Sequence, residues 1–121
     1  MVPASAAVAN VPNYQDVRDA KVFALNYWVN WRGEYNPCSR ITVRYERLFD
    51  RSILGYTMMG SCTVHLNTDV HWNWWNLCEV VTHEIGHVFG HGHTNVPGAI
   101  MNPTYPNPVW GYRFPGCMPA S

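Results

Sequence analysis

Apolar residues recur at helical spacing near the start of the chain. Val17, Ala20, Ala24, Trp28 and Trp31 fall on one stripe, which predicts a helix from about Tyr14 to Trp31. Asn13 is placed to cap it, with Asp16 in the first turn, and Gly33 and Pro37 end it. The period then changes from helical to alternating. Ile41, Val43 and Tyr45 alternate with Thr42, Arg44 and Glu46, predicting a strand over 40–48 with one buried face. Residues 49–61 contain Gly55 and Gly60 and read as a loop, with an irregular strand around Ile53–Tyr56. Thr63–Asn67 reads as a short strand. A second helix begins between Asn73 and Asn76 and runs to about Phe89, with Asn76 and Glu79 at the spacing of a capping pair. Prolines at 97, 103, 106, 108, 115 and 119 break any long helix after that. This order predicts an α+β fold: a small twisted mixed sheet with two helices and an irregular, proline-rich C-terminal part.

Length and charge narrow the class. The 121 residues suit one domain, 1–121, with 1–12 read as flexible or as the remnant of a targeting segment. Ala7-Val8-Ala9 resembles a cleavage site, although no basic stretch and long apolar run precede it. Eight Lys plus Arg balance eight Asp plus Glu. That balance argues against a nucleic-acid partner and against a polybasic membrane anchor. No apolar run approaches about 18 residues, so no transmembrane segment is expected. Charged residues make up only 13%, and six Trp with seven Tyr point to an aromatic core. Cys38, Cys62, Cys78 and Cys117 include no C-x-x-C pair. An even count suggests two disulfides, an oxidising compartment and a secreted or extracellular protein; a monomer is expected. Three pairings are open.

The second helix carries the chemistry. His83 and His87 are four apart, which sets both imidazoles on one face, with Cβ atoms about 5–6 Å apart. Two neutral imidazoles so spaced suit one zinc ion. Glu84 is about 100° round the helix, where it can reach a metal-bound water without being a ligand. A hydrolytic zinc needs a third protein ligand and one open position. His93, six residues past His87, would stand about 9 Å further along an unbroken helix. The helix must therefore stop at Gly90, where glycine takes the left-handed conformation, and the chain must bring His93 back. Cys78 lies about 140° from His83 round the helix and faces away from the metal. His91 and His71 read as solvent-facing.

His83-Glu84-x-x-His87-x-x-Gly90-x-x-His93 resembles the metzincin zinc metalloprotease signature. Asn76-Leu77-x-x-Val80 before it, Thr94 after it and Ala99-Ile100-Met101 narrow the likeness to the matrixins. The resemblance implies a zinc endopeptidase with His83, His87 and His93 as metal ligands, and with Glu84 as general base towards a metal-activated water. It implies Met101 as an apolar floor, Pro103 and Tyr105 in a substrate-binding wall, and an edge strand near Thr63–Asn67 pairing with a peptide or protein substrate. One catalytic Zn2+ is expected. The earlier His-x-Asp motif of the family is absent, and Asn67 and Val70 stand where calcium-binding carboxylates would be, so a structural zinc and calcium are not expected. Two other functions fit the same residues: a catalytically weak zinc-binding or adhesion module, and a zinc amidase acting on cell-wall peptides.

Overall fold

The computed structural model describes residues 12–48, 50, 52–103 and 113–118. Tyr105, Trp110 and the segment 1–11 lie outside the described residues.

Helix α1 spans Tyr14–Leu25 and continues as a π-helical segment over Asn26–Trp31. Asn13 caps it, its side-chain oxygen accepting from the amides of Gln15 (2.8 Å) and Asp16 (3.3 Å). The predicted stripe holds for Val17, Ala20, Ala24 and Trp28, all buried. It fails at Trp31, which is 57% exposed. The reason is the change of helix type: π winding bonds i to i+5, as in Arg32 N–H to Tyr27 O (2.9 Å), and carries position 31 off the 3.6-residue stripe.

Strands β1 (Thr42–Glu46), β2 (Gly55–Tyr56) and β3 (Thr63–Asn67) form a mixed sheet in the order β1-β3-β2. β1 runs parallel to β3, with Thr42 opposite Thr63. β2 runs antiparallel, with Gly55 opposite Leu66. The expectation that 63–67 forms an edge is therefore corrected. β3 is the central strand because β2 pairs along its other side, and β2 is an edge. Ile41, Val64 and Leu66 are buried, whereas Tyr45, at the end of edge strand β1, is 36% exposed and breaks the predicted alternation.

Helix α2 spans Trp74–Val88 and is buried on almost every face between α1, the sheet and the C-terminal turn. Its cap differs from the expected Asn76–Glu79 pair. Asn73 accepts from the Asn76 amide (3.0 Å), and Asn76 Oδ1 accepts from the Asn73 amide (2.7 Å). Glu79 is turned elsewhere, as described below. The small side chains of Ala20 and Ala24, both fully buried, let α1 lie close to α2.

The disulfides are Cys38–Cys62 and Cys78–Cys117. The first ties the stretch after α1 to the start of β3, and the second ties a 3-10 turn at Pro115–Cys117 to α2. Closing loops of 24 and 39 residues, each stabilises the fold by about 3–4 kcal/mol. Fully buried Asn67 fixes the loop between β1 and β2. Its oxygen accepts from Leu48 and Asp69 amides (3.1 and 2.9 Å), and its amide donates to the Ile53 and Asp50 carbonyls (2.8 and 3.3 Å).

Candidate metal centre

The end of α2 is built to reverse the chain. Phe89 closes the helix, and Gly90 adopts φ +97°. The Gly90 amide donates to His87 O (3.0 Å) and the His91 amide to Gly86 O (2.9 Å). This paired arrangement is a Schellman stop with glycine at its left-handed position. The chain then folds back, and the Thr94 amide donates to Met101 O (3.1 Å).

The reversal brings His93 to His83 and His87. One ring nitrogen from each of the three lies within 4.8 Å of the others. Nε2 of His87 and Nε2 of His93 stand 3.1 Å apart. Two nitrogens on a tetrahedral zinc would be about 3.3 Å apart, so the donor set fits that ion. Two of the rings are fixed from behind. Nδ1 of His83 donates to Ile100 O (2.7 Å) and Nδ1 of His87 to His91 O (2.7 Å). With Nδ1 carrying the proton, each Nε2 presents its lone pair inward. Burial lowers the His83 pKa to about 4; the Ile100 carbonyl opposes this, and His87 and His93 add to it. Burial also lowers His87, helped by His93 and His91 and opposed by the His91 carbonyl. Both rings are therefore neutral near pH 7, the form that binds metal.

Glu84 is 5% exposed and lines the same cavity as His83 and His93. Its Oε1 is buried without a hydrogen-bond partner. Burial pushes its carboxyl up to about 7, with the neighbouring Thr57 hydroxyl pulling it back down. That hydroxyl stands beside the carboxyl without meeting hydrogen-bond geometry. An unpartnered buried carboxylate is costly, and such groups concentrate where chemistry needs them.

The cavity measures about 270 Å³ and runs from the histidines between β2 and the segment after His93. Leu54, Gly55, Val80, Ile100 and Pro103 contribute to its wall. Met101 is buried under α2: a Cβ at Gly86 would meet its Sδ at 2.4 Å and Trp28 Cζ2 at 2.7 Å. Gly86 is the gap that lets both side chains pack beneath the paired histidines.

Three features escaped the sequence. His91 is half-buried and partnered rather than free in solvent. It stacks on Trp28 (centroids 4.5 Å apart), and its Nε2 meets Glu34 Oε1 at 2.6 Å. Trp28 lies in the last turns of the first helix and Glu34 just beyond its end, so only the tertiary contact reveals the partnership. His65 stacks on Tyr56 (4.3 Å) and bonds to Glu46. Glu79 also lines the cavity.

A family model described as matrixin matches residues 45–112, more than half of the chain. No curated protein matches it.

Proposed function

The chain belongs to the matrixin family of zinc metallopeptidases, and from that we propose that it is a secreted, monomeric zinc endopeptidase. In this reading His83, His87 and His93 hold one zinc ion, and Glu84 is the general base. The observation that carries it is the convergence of three ring nitrogens, two of the rings held from behind by carbonyls, beside a buried carboxyl whose Oε1 has no partner. Two disulfides suit an oxidising compartment. No helix among the described residues is long and apolar enough to cross a membrane.

A bound zinc supplies Lewis acidity, which activates water and polarises a peptide carbonyl. The remaining work falls to the chain's own side chains. Glu84 takes the proton of the attacking water and hands it to the departing amine. A carboxyl lifted to about 7 by burial exchanges that proton readily near neutral pH. Ile100 and His91 carbonyls keep two of the rings in one tautomer through the cycle. Edge strand β2, beside the cavity, offers backbone groups to an extended peptide in place of the interior β3. Pro103 walls the substrate site, the resemblance adds Tyr105 as a substrate-binding residue, and Gly90 and Met101 support the ligands.

The test has two parts. Metal analysis of the purified chain should give one zinc, removed by chelation together with cleavage of casein. Glu84→Ala should retain zinc and lose at least about a hundredfold in turnover. Equal turnover by wild type and Glu84→Ala removes the mechanism. Zinc without cleavage by the wild type favours a binding module.

A further inference from the structure

Glu79 is a buried acid that the proposed chemistry does not use. It is 5% exposed, yet it lines the cavity that also holds His83, Glu84 and His93. It lies one helical turn before His83, on the part of α2 that faces the cavity. One oxygen, Oε2, accepts from the Phe114 amide at 3.3 Å. The other accepts no hydrogen bond from any described residue. The wall around it is largely apolar, with Ile53, Leu54, Val80 and Ile100. Burial raises the Glu79 pKa, while the Phe114 amide and the Arg113 charge lower it.

A carboxylate in such a wall needs more than one neutral amide to offset its desolvation. The Phe114 contact by itself asks only for an acceptor, which a neutral amide side chain would supply equally well. Arg113 offsets part of that desolvation cost, and the charge still stands at the cavity wall. A cavity whose wall pairs Leu54 and Val80 with a second acid, Glu79, apart from Glu84, fits a long aliphatic stem carrying a cationic head: the stem covers Leu54 and Val80 while the head reaches Glu79.

We propose that Glu79 makes this cavity select a lysine or arginine side chain of the peptide substrate, next to the bond that is cut. This rests on the endopeptidase reading and names its substrate class. Glu79 is then a specificity residue, separate in role from Glu84.

The experiment compares peptides identical except for one residue beside the cleaved bond: lysine, arginine, leucine or glutamate. The zinc-loaded wild type should favour lysine or arginine over leucine by about tenfold or more in kcat/KM, and disfavour glutamate. Glu79→Gln keeps the acceptor for Phe114 and removes the charge; its cation-to-leucine ratio should fall towards one. Glu79→Asp should restore part of the preference. A wild type that favours leucine, or an unchanged ratio in Glu79→Gln, overturns the assignment. Calorimetric binding of the same peptides to zinc-loaded Glu84→Ala reads the cavity without turnover. A cation preference there, lost with Glu79→Gln, supports the selection even if the wild type cuts nothing, an outcome that would sink the peptidase reading instead. Equal binding of all four peptides overturns the selection whatever the turnover.

Discussion

Replacing Gly86 by alanine adds one methyl group at the most crowded point below the histidine pair. Its Cβ would stand 2.4 Å from Met101 Sδ and 2.7 Å from Trp28 Cζ2. Relaxed carbon contacts lie at about 3.5–4.0 Å, so the helix and its neighbours must part by about 1 Å. Met101 can swing aside, since its thioether is flexible. Trp28 cannot follow easily. Its indole N–H donates to Thr82 O (2.9 Å), and Phe89 and His91 stack against the ring. Overpacking of this kind costs about 1–3 kcal/mol. Alanine returns about 1 kcal/mol of helix propensity. The net loss should be up to about 2 kcal/mol, a fall in Tm of several degrees for a chain of this size. Displacing Met101 also disturbs the adjacent Ile100 carbonyl that orients His83, so zinc affinity should drop about tenfold or more. Thermal unfolding of the chelated protein and a zinc competition titration measure the two effects. Adding Met101→Ala to Gly86→Ala should recover only part of the loss, because the Trp28 contact remains. A higher Tm in Gly86→Ala with unchanged zinc affinity would refute the packing argument.

Three further outcomes follow from the same geometry. In the metal-free protein, His83 has its pKa lowered from 6.5 to about 4, so its share of stability is present above 6.5 and lost as pH falls towards 4. Glu84, raised from 4.5 to about 7, works in the opposite sense, its share being present below 4.5 and lost as pH rises through 7. Each amounts to about 3 kcal/mol, so they nearly cancel in the wild type. Glu84→Gln should unmask a stability that climbs between pH 4 and 6.5; a flat urea-midpoint profile would contradict it. Gly90→Ala forces a side chain into φ +97° and should cost about 1–2 kcal/mol in chemical denaturation, with weaker zinc binding as the His93 loop loosens. Asn67→Ala strips four backbone groups of their partner and should cost about 2–4 kcal/mol, read in the same denaturation series, with zinc stoichiometry intact.

Much of this protein is local and therefore legible from its residues. The 3.6-residue stripe and the Asn13 cap announce α1, and the spacing of His83, His87 and Gly90 announces both the two-ligand face and the reversal after it. Those features depend on residues within one or two turns of each other, where helix geometry leaves little choice. The rest required the fold. Chain spacing cannot rank three disulfide pairings, because each depends on which distant segments meet. The edge expected at Thr63–Asn67 fails for the same reason: pairing of β2 with the far side of β3 is a long-range contact. The π winding after Leu25 shifted Trp31 to the surface and set Trp28 against Gly86, and that contact in turn seats His91 and Glu34. Glu79 looked like a capping partner on helical spacing, yet burial against Phe114 and the cavity gave it a different neighbourhood. Periodicity encodes which way a side chain points on its own element; what it then meets is decided by packing between elements far apart in sequence.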